Sequence, residues 1–239
     1  MKSRFGISGS LLQFAVLMVF ITASVSFAGE KLYTFDTDQA WELYDGDWNA
    51  PEWKVEGGEL SVQGTSGNAA IILLKESEGI VASDGMTIEA DCYDTASGPW
   101  QNYGIVWSCL DGVGEAYSVM ALIQSKATRL EMVDLATGAR NTIVNADDEY
   151  SPEAWYHMKI EINGNLLTVS TAETGQALIE RVVHDFGASI PVGGRPGLVI
   201  SNSGTKFDNF KVSGPDIVEA AVKPVAKLPS AWARIKAKY

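Results

Sequence analysis

Hydrophobic and polar residues alternate over short runs along most of this chain. In residues 155–170, WYHMKIEINGNLLTVS, Ile160 and Ile162 fall on one side of an extended strand and polar residues fall on the other. Asn163-Gly164 follows, and this dipeptide is strongly preferred in two-residue β-hairpin turns. Because alternation resumes directly afterwards, the stretch predicts two antiparallel strands joined by a tight turn.

Turn dipeptides divide the rest of the chain into short runs that are rich in Val, Ile, Thr, Tyr and Trp. These dipeptides are Asp45-Gly46, Gly57-Gly58, Asp84-Gly85, Asp111-Gly112, Thr137-Gly138, Thr174-Gly175, Gly193-Gly194 and Ser203-Gly204. Residues 69–74, AAIILL, form a continuous apolar run, which is typical of a strand covered on both faces. Little of the chain shows sustained helical periodicity, so the pattern predicts an all-β sandwich or barrel.

The first 28 residues have the features of a secretory signal peptide. A positively charged start precedes an apolar stretch at residues 11–23, and Ser26 and Ala28 put small residues at the expected cleavage site. The apolar stretch is too short to favour a membrane-spanning helix, and no later segment approaches the required length. We therefore expect a secreted or periplasmic protein without a membrane span.

The composition changes after Gly214-Pro215, where the chain becomes basic. Its expected divisions are a signal peptide (1–28), one domain (29–214), a linker (215–229) and a basic tail (230–239). The tail is either frayed or a short helix capped by Ser230. With Trp232 and Ile235 beside its basic residues, such a helix is suited to contact the acidic domain, a partner protein or an anionic surface.

Charge and cysteine content limit the functions that the chain can have. Its net charge is −12, and removal of Lys2 and Arg4 with the signal peptide takes it to −14, which argues against nucleic-acid binding.

Cys92 and Cys109 are the only cysteines, and two cysteines without a histidine-rich cluster do not make a metal site. If Tyr93 faces Tyr103 on a neighbouring strand, the cysteines lie roughly 17 Å apart. A disulfide then needs a bulge or another register, and this question stays open.

Three further segments, taken in order, resemble a known superfamily. They are W-x-L-Y-D-G-D-W with W-K-V-E-G-G-E-L in residues 41–60, W-Y-x-M-K-I-E-I-N-G-N-L-L-T-V in residues 155–169, and G-R-P-G-L-V-I-S-N-S-G-T-K-F-D-N-F-K-V in residues 194–212. Together they are similar to the concanavalin A-like lectins and glucanases, and most of all to bacterial laminin-G-like and keto-glycoside hydrolase-like domains. The resemblance covers residues 31–214 and implies a two-sheet antiparallel jelly-roll sandwich.

The same resemblance implies a function connected with carbohydrates. The expectation is an exported, non-catalytic domain that binds a polysaccharide or other glycan. The alternatives are a glycoside hydrolase acting on a β-glucan or a keto-glycoside, and a structural or adhesion module. Keto-glycoside hydrolase-like members tend to carry Q-D-H after G-x-x-G-L, whereas Val199-Ile200-Ser201 follows Leu198 here, which weakens the transfer of that activity.

Residues 88–94, IEADCYD, are the nearest approach to a catalytic motif. They read E-x-D-x-x-D, whereas the related β-glucanases carry E-x-D-x-x-E on a strand of their sugar cleft. In strand phase, Glu89 and Asp91 share the polar side, about 7 Å apart along the strand, while retaining glycosidases need their two carboxyl groups about 5–5.5 Å apart. Asp94 is shorter than the glutamate that it replaces. We interpret Glu89 and Asp91 as candidate sugar contacts and assign no catalytic residue.

The loop after this strand is rich in aromatic and polar residues. Trp100 and Tyr103 are expected at its mouth, where an exposed ring can stack on a pyranose, and Asp94 is expected beside them. Ile105, Trp107 and Cys109 share one side of the following strand, and if that side is the core, Trp107 is a packing residue. The predicted ligand-binding residues are Trp100, Tyr103, Asp94, Glu89 and Asp91.

A structural Ca²⁺ is the one cofactor that the sequence suggests. Asp36 follows the first strand and Asp208 lies in the last, and superfamily members with a structural Ca²⁺ use a last-strand aspartate. Six or more oxygen ligands are needed, and only these two side chains can be named as candidates. His157 and His184 lack partners at catalytic or metal-ligand spacing and are interpreted as structural.

Overall fold

The computed structural model describes residues 29–37, 39–44, 52–63, 69–95, 102–122, 125–187, 189–201 and 204–218. The expected signal peptide and basic tail, and most of the linker, lie outside these residues. Within them, the chain forms fifteen β-strands and one short 3-10 helix, Glu76–Glu78. The strands are β1 (Gly29–Tyr33), β2 (Trp41–Leu43), β3 (Glu52–Glu56), β4 (Glu59–Gln63), β5 (Ala69–Leu74), β6 (Thr87–Asp94), β7 (Asn102–Leu110), β8 (Glu115–Leu122), β9 (Ala127–Asp134), β10 (Arg140–Asp147), β11 (Trp155–Asn163), β12 (Leu166–Glu173), β13 (Ile179–Asp185), β14 (Arg195–Ser201) and β15 (Thr205–Gly214).

The strands form two antiparallel sheets, and the predicted two-sheet all-β sandwich is confirmed. In the described part of the chain, sheet A has eight strands in the order β13-β12-β11-β6-β15-β4-β3, with β1 also paired to β15. Sheet B has seven strands in the order β10-β9-β8-β7-β14-β5-β2. The pairing of β1 with β15 joins the two ends of the domain, as expected for this architecture.

The centre of sheet A is formed by strands that are far apart in sequence. Strand β6 lies between β11 and β15, so that Asp91 is opposite His157 on one side and Asp208 on the other. The predicted hairpin joins β11 to β12, but its two turn residues are Gly164 and Asn165, because Asn163 still pairs with Leu166. Gly164 adopts the left-handed conformation that the turn requires.

Alternation along β6 and β11 divides their side chains between two environments. Ile88, Ala90 and Cys92 of β6 are fully buried in the core between the sheets, as is Met158 of β11. The intervening residues point to the opposite side, which we call the outer face of sheet A. The predicted apolar and polar sides of the IEADCYD strand are therefore confirmed.

The core between the sheets is closed on the sheet B side by large side chains of β7 and β14. Trp107 is fully buried, as predicted, and its indole Nε1 donates a hydrogen bond to the Pro191 carbonyl at 2.9 Å. Strand β5 contributes alternately to this core and to a second apolar cluster on the other face of sheet B. This explains why residues 69–74 are apolar without interruption.

The two cysteines lie in different sheets and both are free thiols. Strands β6 and β7 do not pair, because β6 belongs to sheet A and β7 to sheet B. The supposed pairing of Tyr93 with Tyr103, from which the distance between the cysteines was derived, is therefore wrong. A bulge between Val106 and Ser108 also moves Cys109 away from the side of Trp107 and into the apolar cluster with Val106. Cys92 instead points into the core between the sheets.

Among the described residues, no helix is long and apolar enough to cross a membrane.

Candidate functional site

Polar side chains from three neighbouring strands meet on the outer face of sheet A. The group consists of Glu89 and Asp91 of β6, His157 of β11, and Asn209 and Lys211 of β15, and we call it the His157 network. Strand phase places Glu89, Asp91 and His157 on this face. The one irregularity is a bulge in β15 between Asp208 and Lys211, which puts Lys211 rather than Phe210 on this face, opposite Glu89.

His157 lies between the two carboxylates of β6 and contacts both. Its Nδ1 is 2.7 Å from Asp91 Oδ1 and its Nε2 is 2.9 Å from Glu89 Oε2. The second oxygen of each carboxylate is also in contact, Asp91 Oδ2 with the amide of Asn209 at 2.8 Å and Glu89 Oε1 with the ammonium of Lys211 at 2.8 Å. The network thus links β11, β6 and β15 through side chains.

The contacts fix the charges of this network. Ionised carboxylates only accept hydrogen bonds, so both ring nitrogens of His157 must donate and the ring is an imidazolium. Hydrogen bonds to Asp91 and Glu89 raise the pKa of His157 to about 9. The hydrogen bond from His157 lowers the pKa of Glu89 to about 2, and Lys211 adds to this effect against the opposing effect of burial. Burial raises the pKa of Asp91, but hydrogen bonds from His157 and Asn209 outweigh it and hold the pKa below its ordinary value.

These charges fit binding better than acid–base catalysis. A glycosidase needs one carboxyl group that stays protonated near neutral pH, which requires a raised pKa. Glu89 and Asp91 are both shifted in the other direction. They are instead hydrogen-bond acceptors at neutral pH, with the cation of His157 between them.

Two aromatic rings lie on the outer face of sheet A, directly beside the His157–Asp91 pair of the His157 network. Tyr93 of β6 is opposite Trp155 of β11, and the ring centroids are 5.2 Å apart at an interplanar angle of 43°. Both side chains are partly exposed. Lys206 of β15 is opposite Tyr93, with its ammonium 5.9 Å from the ring centroid and 2.8 Å from Glu59. The rings therefore form a partly exposed pair beside the His157 network.

Two of the residues predicted to bind ligand lie inside the domain. Tyr103 is 0% exposed and packs in the core between the sheets, so its expected position at a loop mouth is wrong. Asp94 is 1% exposed and has the opposite strand phase from Glu89 and Asp91, so it does not join them. Burial raises the pKa of the Tyr103 phenol, and Asp94 contributes to that shift, which places the two side chains near each other in the interior. Trp100 lies outside the described residues.

The two candidate Ca²⁺ ligands are near each other in the sandwich. Burial raises the pKa of Asp208, and the neighbouring carboxylates of Asp91, Glu59 and Asp36 add to the effect. Asp36 also accepts a hydrogen bond from the Thr34 hydroxyl at 2.7 Å. Among the described residues, however, no group of three or more His, Cys, Asp and Glu side chains is arranged to hold a metal ion.

A second charged network has its centre at Asp148, in the interior. Asp148 Oδ2 accepts hydrogen bonds from the hydroxyls of Thr128 at 2.6 Å and Thr171 at 3.0 Å, and Oδ1 is 2.9 Å from Arg181 Nη2. The Tyr150 hydroxyl is 2.7 Å from that of Thr128. Because Thr128 is on β9 whereas Thr171 and Arg181 are on β12 and β13, this network fastens sheet B to sheet A.

Sequence reasoning missed most of the residues on the outer face of sheet A. It correctly predicted that His157 points outward, but it interpreted His157 as a structural residue without a partner. In the structure His157 contacts Asp91 and Glu89. Tyr93 and Trp155 were not considered as ligand contacts, although their strand phase puts them on the side of Asp91 and His157 respectively. The missing information was the pairing of β6 with β11, since 66 residues separate Asp91 from His157.

Comparisons with known proteins extend the description of the fold. No family model and no curated protein matches this sequence. Among solved structures, carbohydrate-binding module CBM66 from Bacillus subtilis is similar with a TM-score of 0.54 and 16% identity, over 72% of this chain and 94% of that chain. The CBM2 module of the evolved Dit protein of Lactobacillus casei BL23 phage J-1 has a TM-score of 0.54 and 10% identity, and the match covers 78% of this chain and 96% of that chain.

A xylan β-1,4-xylosidase from Bacillus halodurans C-125 is also similar, with a TM-score of 0.51 and 15% identity. The match covers 76% of this chain but only 38% of the xylosidase. Identities this low establish the fold alone. The chain has the β-sandwich fold found in these carbohydrate-binding modules and in part of this hydrolase.

Proposed function

We propose that this chain is an exported, laminin-G-like carbohydrate-binding domain that binds a polysaccharide and does not hydrolyse it. Two similar structures are named as carbohydrate-binding modules, and these matches extend over almost their whole length. Export follows from the signal-peptide features of residues 1–28. The outer face of sheet A supplies the partly exposed polar groups that a sugar-binding surface needs.

The observation that carries this proposal is the contact of His157 with both carboxylates, at 2.9 Å from Glu89 and 2.7 Å from Asp91. These contacts favour an imidazolium between two ionised carboxylates. Fixed carboxylates are strong acceptors for sugar hydroxyls. The same fixation withholds the protonated acid on which glycoside hydrolysis depends, so the site has the chemistry of recognition without that of bond cleavage.

Affinity electrophoresis on a panel of soluble polysaccharides tests the proposal, together with an assay for released reducing sugar. We expect retardation by at least one polysaccharide, weakened by Asp91→Asn, and no release of reducing ends. Glu161→Gln is the matched control, because Glu161 is on the same face of β11 but pairs with Lys159 near the end of the strand. Absence of binding to the whole panel would contradict the proposal. Hydrolysis that Glu89→Gln abolishes would establish the glycosidase instead.

A further inference from the structure

We infer that the ring pair of Tyr93 and Trp155 is the stacking subsite of this domain and that its ligand is a neutral polysaccharide, bound across strands β11, β6 and β15. The inference rests on the proposed function and adds to it a location and a ligand class. It moves the aromatic contact from the loop after β6, where the sequence suggested Trp100 and Tyr103, to the outer face of sheet A.

The first argument is the position of the rings. Tyr93 and Trp155 are directly opposite each other on β6 and β11, with centroids 5.2 Å apart, and both point away from the core. Their inward-pointing neighbours Cys92 and Tyr156 account for the packing of these strand ends. The two rings are therefore not needed to fill the space between the sheets, and they offer apolar surface to a ligand.

The second argument is the arrangement of polar groups around the rings. Neighbouring strands are about 4.8 Å apart, and same-face residues on one strand are about 7 Å apart. One row therefore contains Trp155, Tyr93 and Lys206, and the next contains His157, Asp91 and Asp208. These two rows cover about 10 Å by 7 Å, close to the size of a disaccharide. A pyranose with equatorial hydroxyls can stack its C–H face on the rings while its edge reaches the carboxylates.

The third argument is charge. The cations nearest the ring pair and the His157 network are already paired: His157 with Glu89 and Asp91, Lys211 with Glu89, Lys206 with Glu59, and Lys159 with Glu161. Asp208, in contrast, is close enough to Asp91, Glu59 and Asp36 to be affected by their charges. An excess of negative charge repels uronate or sulfate groups, whereas hydroxyls can donate to the carboxylates. The surface is therefore complementary to an uncharged glycan.

Titration calorimetry with a soluble neutral β-glucan, a neutral xylan and polygalacturonate tests the inference on the purified protein. We expect Trp155→Ala and Tyr93→Ala to weaken binding of the neutral polysaccharide about tenfold or more. Trp155→Phe should recover most of the affinity. Val183→Ala is the matched control, since Val183 is also exposed on sheet A but lies on edge strand β13, and it should bind like the wild type. Thermal unfolding of each variant shows that it is folded.

The outcomes separate this inference from the proposed function. If the wild type binds a polysaccharide and Trp155→Ala binds it within twofold, the carbohydrate-binding function stands and the ring-pair subsite is wrong. Tighter binding of polygalacturonate than of the neutral glycans would overturn the ligand class. If the wild type binds none of the three and none of the larger panel, the proposed function and the subsite both fail.

Discussion

The His157 network and the Asp148 network have similar components but differ in their access to solvent. Each joins three strands through a carboxylate, a cation and further hydrogen-bonding side chains. The Asp148 side chain is 0% exposed, and its partners come from both sheets. In the His157 network, the side chains of His157 and Asp91 are 29% and 18% exposed, and the members belong to one sheet.

This difference separates the structural role of the Asp148 network from the role in binding that we propose for the His157 network. If a buried carboxylate or its partners are removed, the remaining polar groups are left unpaired where water cannot reach them. On the outer face of sheet A, water can replace a lost partner, so each contact is worth less to stability. The same access allows a ligand to replace water there. The following predictions test this contrast, beginning with the largest effect.

Asp148→Ala is expected to lower the free energy of unfolding by about 3 kcal/mol, because Thr128, Thr171 and Arg181 lose the acceptor that they share. Urea denaturation at neutral pH measures the change. Asp147→Ala is the control, since Asp147 is the preceding residue and is exposed, and it should stay within about 0.5 kcal/mol of the wild type. A loss below about 1 kcal/mol for Asp148→Ala would show that this network does not fasten the two sheets.

His157→Gln is expected to have a smaller effect, about 1–2 kcal/mol, and one that depends on pH. The pKa of His157 is about 9 in the folded protein against 6.5 ordinarily, so its contribution is complete below pH 6.5 and is lost as the pH rises through 9. The pKa of Glu89 is about 2 against 4.5, so its contribution is complete above pH 4.5 and is lost as the pH falls through 2. The difference between wild type and variant should therefore be largest between pH 4.5 and 6.5.

Denaturation of wild type and His157→Gln at pH 5.5 and pH 10 measures this dependence. His184→Gln is the matched control, because His184 packs edge-on against Phe186 and does not bridge two carboxylates. An equal loss for His157→Gln at both pH values would mean that the ring acts by packing rather than by its charge.

Lys211→Met is expected to have the smallest effect, about 0.5 kcal/mol, because its ammonium is partly exposed. The pKa of Glu89 should rise from about 2 but stay below 4.5, since the hydrogen bond from His157 is the larger cause of its lowering. Carboxyl-resolved NMR titration measures the pKa. Lys206→Met, which removes the ion pair with Glu59 further along β15, should leave the pKa of Glu89 unchanged. A Glu89 pKa of 4.5 in Lys211→Met would assign the lowering to Lys211 instead.

Local patterns predicted the parts of the fold that depend on neighbours in sequence. The hairpin between β11 and β12 and the two sides of the IEADCYD strand follow from turn chemistry and strand phase, and the structure confirms both, with the turn one residue later than predicted. The burial of Trp107 likewise follows from the apolar side of its strand. Cys109 is an instructive exception. Strict alternation put it on the side of Trp107, and one bulge residue in β7 reversed its direction.

The candidate site was predicted only in part. Glu89 and Asp91 were correctly placed on an accessible face, and whether they contact a sugar stays a prediction. Tyr103 was assigned to a loop mouth because turn residues and an aromatic residue precede it, but β7 has already begun at Asn102 and carries its ring between the sheets. Nothing in the local sequence distinguishes a tyrosine at a loop mouth from one at the first inward position of a strand.

By itself, the sequence determined the fold class and which side of each strand is polar. These are properties of period-two alternation and of turn residues, and both are local. Only the tertiary structure decided which polar sides meet. The contact of His157 with Glu89 and Asp91, and of Trp155 with Tyr93, depends on β11 pairing with β6 in one register, and that choice is made by burial of the opposite face across the whole sandwich.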